Sequence, residues 1–349
     1  MFNTRSCRSL AAALLCLLAA GAVHADWQVT VNPYETIDWE QHERHHGNFH
    51  THTTESDGSQ SPADVIDGYH AIGHGILALT DHDKHTWPWT AFGRDPDELD
   101  MLAIRGNELS RHHHTLSLFS DLETSTSDHE TAVQEVHDIG GVSVLAHPGR
   151  YWDLDEEGQV PDEVRDKYAD LFLTYSSLVG MEVVNQGDRY PEDRALWDAL
   201  LTHLMPDKPV WGMANDDSHG EAHIGLNTTV MLLPERDDEQ VRAALENGRY
   251  YFTTVTSHPQ DEQDRDQTPV IRNVIHDADA GTLTLVADAA GEPLPDERYQ
   301  WISAGGKVVH EGPTLELNAV DGLDRYVRAE IRGDGGTAYT QPFGIEQHE

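Results

Sequence analysis

Cysteine is almost missing from this chain of 349 residues: the only two, Cys7 and Cys16, fall within the first 25. Residues 26–349 can therefore form no disulfide and offer no thiolate nucleophile. Lysine is nearly as scarce, at Lys84, Lys167, Lys208 and Lys307. Long apolar runs are lacking too, since the one from Leu10 to Val23 falls short of the roughly 18 residues a membrane span needs, and no other stretch comes near it. There is no G-x-S-x-G nucleophile elbow. The glycine pattern at Gly73-His74-Gly75-Ile76-Leu77-Ala78 precedes a strand, whereas a dinucleotide-binding turn follows one. A disulfide scaffold, a membrane-spanning protein, a cysteine hydrolase and a nucleotide dehydrogenase are all disfavoured.

The first 25 residues read as a secretory leader: Arg5 and Arg8, the apolar run, then Val23-His24-Ala25 as a small-residue cleavage site. Export to the periplasm or beyond, with cleavage near Ala25 and no lipid attachment at Cys16, is the expectation. The leader holds no acid, which leaves 21 basic against 62 acidic residues, a formal charge of −41. Regular apolar patterns run throughout, so this charge points to a salt-adapted surface rather than to disorder. It opposes broad nucleic-acid binding and favours small-molecule partners. Nothing in the sequence bears on oligomeric state.

Residues 256–268, TSHPQDEQDRDQT, are polar and nearly free of large apolar side chains, and they serve as the linker candidate. Before them, strand-like segments (GILALTDH, MLAIRGNEL, VSVLAHP, GMEVVN, PVWGMAND, TTVMLLP) alternate with helical patterns near residues 62–72, 129–139, 163–178, 191–205 and 237–247. That alternation predicts parallel β/α units. After them come short alternating strands from VIRNVIHD to YVRAEIR, which predict a small β-sandwich. The predicted division is residues 1–25 leader, 26–257 α/β domain and 258–349 sandwich.

Histidine is the residue in excess, with 23 copies. In an acidic chain many can be surface residues, and His24, His129, His137, His203, His258, His310 and His348 are read that way. Placement argues otherwise at five strand ends. His50 and His52 sit at i and i+2, on one face of an extended segment, with Asp57 in the turn that follows. His82 closes the next strand, Glu108 the one after, with His112, His113 and His114 behind it; His147 closes VSVLAHP, and Asp217 and His219 follow WGMAN. Ligands of β/α folds gather at the carboxyl ends of strands, so these clusters converge on one multimetal site.

NFHTHTTESDGS, LALTDHD, GNELS with HHHTLSLF, LAHPGR and NDDSHG resemble, in order and approximate spacing, the motifs of the polymerase and histidinol phosphatase (PHP) superfamily. The resemblance covers residues 48–254. It implies a distorted (β/α)7 barrel and nine ligands: His50, His52, Asp57, His82, Glu108, His114, His147, Asp217 and His219. His114 is chosen because the ligand there directly precedes a short apolar strand, with His113 as runner-up. By the same pattern His50, His52, Glu108 and Asp217 would hold one ion, Glu108, His114 and His147 a second, and Asp57, His82 and His219 a third. The C-terminal YVRAEIRGDGGTAYTQPFGI also resembles the end of exported PHP proteins that include a carbamate-ester hydrolase, which bears on architecture alone.

Imidazole and carboxylate donors suit two or three divalent ions of manganese, zinc or iron, bridged by Glu108. The nucleophile expected is a metal-bridging hydroxide, so Glu108 and Asp217 count as catalytic. Asp81 and Asp83 are candidates to orient imidazoles. Lys84, Arg111, Arg150 and Arg189 lie near proposed ligands or strand ends in a chain short of cations, and Arg150 is the chosen phosphate clamp. The predicted activity is hydrolysis of small phosphate esters, nucleotide-derived ones among them. Carboxyl- or carbamate-ester hydrolysis on the same site is the first alternative, and a non-catalytic metal- or ligand-binding protein the second.

Overall fold

The computed structural model describes residues 26–124, 128–256 and 265–348. The leader, His24, His258 and residues 257–264 of the linker candidate lie outside them. All five expected helices are present: α1 Pro62–Ala71, α2 His129–Asp138, α3 Asp162–Thr174, α4 Glu192–Leu204 and α5 Asp238–Asn247. Their starts follow capping chemistry. Ser61 Oγ accepts from the Asp64 amide at 3.2 Å with Pro62 behind it, Asp128 caps Thr131 at 3.0 Å, and Asp237 caps Gln240 at 2.8 Å. The third helix stops four residues before its expected end because Tyr175 is already extended and Leu178 opens the next strand.

The architecture is mixed α/β, and the strands form three sheets. MLAIRGNEL, read as one strand, breaks at Arg105. Leu102–Ile104 runs parallel to Ile76–Ala78, which is itself parallel to Glu43–Asn48. Gly106–Leu109 instead pairs antiparallel with Thr115–Leu118, and that strand pairs antiparallel with Val142–Leu145. The segment between Leu109 and Thr115 is too short for a parallel crossover, so the purely parallel pattern gives way here. Val142–Leu145, Leu178–Asn185 and Trp211–Asn215 then continue in parallel. Two single bridges join the sheets where the strands end: His82 with Glu108, and Thr51 with Ser218.

The later strands extend the first sheet. Gly336–Tyr339 pairs with Tyr250–Val255 in the register Phe252–Tyr339, and Asp26–Val31, the first described strand, pairs with Phe343–His348. A separate sheet of Val270–Asp277, Thr282–Ala289, Glu292–Pro293 and Thr314–Glu316 buries alternate residues such as Leu283 and Leu285. These pack with Trp301, Leu315, Val327, Ile331 and Phe343 in one apolar core. That core also takes in Tyr34, Val230 and Tyr251 from before residue 257, so strands on the two sides of the expected boundary share both hydrogen bonds and packing. At this junction Arg328 holds Asp198 of α4 through two bonds of 2.8 Å, with the Tyr326 hydroxyl donating a third.

One histidine read as a surface residue is not one. His129 is only 6% exposed, tucked beside His113 and Tyr168 at the start of α2. His203 and His348 are exposed, and His137 and His310 are half-buried.

Candidate metal centre

Every proposed ligand is brought to one place. His50 and His52 follow Glu43–Asn48, and their Nε2 atoms lie 3.1 Å apart, as same-face positions of an extended segment require. His82 follows Ile76–Ala78, His147 follows Val142–Leu145, and Asp217 and His219 follow Trp211–Asn215. His147 and Asp217 both hold left-handed backbone, with φ of 32° and 44°. Such angles are strained for residues with a Cβ, at about 1–3 kcal/mol each, and persist where neighbours fix them. Here the His147 amide donates to Glu182 Oε2 at 2.9 Å, and the Asp217 carbonyl accepts from Gln186 Nε2 at 2.9 Å.

Glu108 is the hub. It is fully buried, and its two oxygens lie 2.8–3.3 Å from ring nitrogens of His50, His52, His82, His114 and His147. Asp217 Oδ1 stands 3.0 Å from His52 Nε2 and 3.3 Å from His50 Nε2. Asp57, on the open side, faces His82 at 3.5 Å and His219 at 3.4 Å. Four overlapping groups result, each with donor atoms close enough to share one ion: His50, His52 and Asp217; His50, Glu108 and His147; His82, Glu108 and His114; and His52, Asp57, His82 and His219.

His114 rather than His113 enters the cluster. His114 Nδ1 is 2.8 Å from Glu108, whereas His113 stacks on Tyr151 at 4.3 Å, with its Nδ1 at the Tyr168 hydroxyl. Among the described residues neither Asp81 nor Asp83 bonds directly to an imidazole. Asp81 accepts from the Thr53 amide and hydroxyl and from Ser56, and Asp83 accepts from Ser110. The orienting carboxylate is Glu182, which sequence reasoning passed over. It is fully buried; His50 Nδ1 lies 2.8 Å from Oε1, and Asn215, Asn185 and the His147 amide donate at 3.0, 2.8 and 2.9 Å. Its signal was present in GMEVVN, where one acid interrupts a strand buried on both faces.

Burial alone would depress the His50 imidazole, but Glu108, Glu182 and Asp217 outweigh it and raise the group well above its ordinary value. His52, depressed by burial but facing Asp217 at 3.0 Å and Glu108 at 3.3 Å, is raised to about 9. Conversely, burial raises Glu108 while His50 and bonds from His114 and His147 pull it well below the carboxylate range. The interior field thus favours positive charge. Glu108 Oε2, Asp217 Oδ1 and His82 Nδ1 are also buried without a hydrogen bond, although His82 Nδ1 and Glu108 Oε2 are only 2.9 Å apart. These three atoms, left unbonded in so crowded a cluster, have lone pairs to offer, which fits divalent cations.

A cavity of about 410 Å³ opens over this cluster, with Ser110, Arg150 and Arg189 at its wall. Of the four cations singled out, only Arg150 and Arg189 line it. Lys84 pairs with Glu55, and Arg111 stands 3.9 Å from Asp83. Arg150 lies over the Tyr151 ring at 5.8 Å, and Arg189 donates to Gln186 at 2.7 Å. The Arg150 turn is tied down because the Gly149 amide donates to the buried Asp193 at 2.5 Å.

No family model and no curated protein matches the sequence. Among solved structures, the chain is similar to a two-domain protein from Bacteroides vulgatus containing a predicted PHP-like metal-dependent phosphoesterase, at a TM-score of 0.50 and 18% identity over 90% of this chain and 98% of that one. An amidohydrolase from Chromobacterium violaceum with bound sulfate and no metal gives a TM-score of 0.40 and 17% identity, covering 62% of this chain and 98% of its own. A lesion-specific endonuclease from Pyrococcus furiosus gives 0.40 and 11%, covering 58% of this chain and 56% of its own. At 18% identity the first likeness shows a shared fold, that of a chain containing a PHP-like domain, and nothing beyond the fold.

Proposed function

We propose that the protein is an exported hydrolase of small phosphate esters that works with two or three divalent ions of manganese, zinc or iron. The observation that carries this reading is a buried carboxylate, Glu108, within 3.3 Å of five imidazoles, beneath a cavity walled by two arginines. His50, His52, Glu108 and Asp217 would hold one ion, Glu108, His114 and His147 a second, and Asp57, His82 and His219 a third. Bound there, such ions supply an activated water and a Lewis acid. Arg150 and Arg189 bind the equatorial oxygens of a phosphoryl group, where charge gathers during transfer. A cavity of about 410 Å³ suits a small ester, and the charge of −41 opposes a polyanionic one.

The site sits on what we read as a (β/α)7 barrel. Seven strand positions run from Glu43–Asn48 through Ile76–Ala78, the broken Leu102–Leu109 segment, Thr115–Leu118, Val142–Leu145 and Leu178–Asn185 to Trp211–Asn215. The Thr51–Ser218 bridge supports closure. The strands after residue 257, with Asp26–Val31, form the sandwich appended to it.

The test is a matched series of 4-nitrophenyl phosphate, acetate and carbamate, assayed in manganese and then zinc, with metal content from elemental analysis. Phosphate turnover should dominate, and Arg150→Ala should lower it at least tenfold while sparing the carbonyl esters. Ready cleavage of acetate or carbamate with none of phosphate replaces this reading by an esterase, and a metal-loaded protein inert to all three replaces it by a binding protein.

A further inference from the structure

A second cavity, of about 710 Å³, opens at the other end of the strands that carry the metal centre. Val179 and Trp211 in its wall lie at the amino ends of Leu178–Asn185 and Trp211–Asn215, whereas Asp217 follows the carboxyl end of the latter. At about 3.3 Å per residue, roughly 20 Å of chain separates Trp211 from Asp217. The two cavities share no residue.

Its charge is unusual for this molecule. Lys208 and Arg249 both line it, and neither makes a side-chain hydrogen bond or ion pair among the described residues. Acids outnumber basic groups almost three to one in residues 26–349, and arginines elsewhere are taken up: Arg94 by Asp67, Arg165 by Asp162 and Asp166, Arg298 by Asp334. Two cations withheld from pairing in one hollow repeat what Arg150 shows beside the metal cluster. Lys208 is half-buried, and desolvation depresses its ammonium with no acidic neighbour to offset it. An arriving anion would relieve that cost. Of the two acids at the rim, Glu246 is already bound by Arg242 at 2.9 Å, and Glu35 is exposed to solvent.

The apolar part of the wall is rigid. The Trp211 indole N–H donates to the Glu246 carbonyl at 3.0 Å. Gly248, at φ 67°, closes α5 so tightly against that indole that a Cβ there would lie 2.6 Å from the ring. Val179 and Pro209 complete an apolar face next to the two cations.

We propose that this cavity is a second binding site, separate from the metal centre, for a small organic carboxylate whose anionic head meets Lys208 and Arg249 and whose apolar body lies on Trp211 and Val179. The proposal does not depend on the catalytic reading above.

The probe is benzoate, titrated calorimetrically into the metal-loaded protein, with inorganic phosphate and benzyl alcohol as comparators. Wild type should bind benzoate saturably, and Lys208→Met combined with Arg249→Met should weaken it at least tenfold. Arg150→Ala should leave it unchanged. Equal affinity in the double variant, or no saturable binding at millimolar benzoate, overturns the proposal. So does loss of benzoate binding in Arg150→Ala, which would seat the ligand at the metal centre instead. Benzyl alcohol binding as tightly as benzoate overturns the ionic part, and tighter binding of phosphate that the double variant abolishes overturns the choice of carboxylate. Neither side chain has a partner to lose, so the double variant should keep its melting temperature; if it does not fold, Arg249→Gln alone carries the same comparison.

Discussion

At the residue scale, Glu108 and Glu182 divide one task. Glu108 sits among five ring nitrogens, and Glu182 orients the His50 ring through Nδ1 and holds the His147 backbone through its amide. If Glu108 bridges two cations as proposed, replacing the carboxylate by an amide removes the charge that holds them together, so Glu108→Gln should abolish turnover and lower metal content by at least one ion per chain. Full metal occupancy and near-normal activity would remove Glu108 from the bridge. Glu182→Gln should act more mildly. Orienting partners of metal-bound histidines are worth about 10–100-fold in metal affinity, and chelator competition should show a loss in that range with ligands intact. Unchanged affinity would make Glu182 a packing residue only. The difference in legibility follows from chain geometry. His50, His52, His82 and Asp217 declare themselves by local spacing at strand ends, whereas Glu182 meets His50 across 132 positions of sequence, a contact no local pattern encodes.

At the scale of elements, helix starts were legible because caps are local. Ser61-Pro62 announces α1 and its cap is made; Asp128 and Asp237, which the structure shows capping α2 and α5, are of the same local kind. The break at Arg105 was not legible, because the two halves of MLAIRGNEL differ in which strand they pair with, and pairing is not written in either segment. Nor was the burial of His129, which opens α2 on a face that only the fold covers. Burial, aided by His113 and Lys167, depresses the His129 imidazole to about 3, against about 6.5 in an unfolded chain. Between those values the unfolded chain binds the extra proton, so this contribution to stability is complete above about pH 6.5 and is lost as pH falls toward 3. His129→Phe, which keeps the ring and removes the titration, should flatten the fall in denaturant-measured stability between pH 7 and 4, by an amount on the order of a few kcal/mol. Parallel pH profiles for variant and wild type would rule that out.

At the scale of the whole molecule, the question is whether 21 basic groups among 62 acids in residues 26–349 leave the folded state stressed or merely decorated. Surface pairs such as Arg94–Asp67, Arg236–Asp100 and Arg325–Asp207 are each worth about 0–1 kcal/mol, and salt weakens them. Even if every basic group neutralised one acid, about two thirds of the carboxylates would remain to repel one another. Folding brings those charges closer than they are in the unfolded chain, and at 0.1 M salt the screening length is still about 10 Å, near the spacing of neighbours on a crowded surface. Repulsion therefore outweighs the pairs, and screening it should stabilise the fold. The melting temperature of the metal-loaded protein should rise steadily as sodium chloride goes from low to molar concentration. Neutralising exposed acids after residue 257, for example Glu292→Gln with Glu297→Gln, should reduce that rise without touching the metal centre. A melting temperature that stays flat or falls with added salt would show that the pairs and the bound ions, rather than the unpaired carboxylates, set the electrostatic balance of the fold.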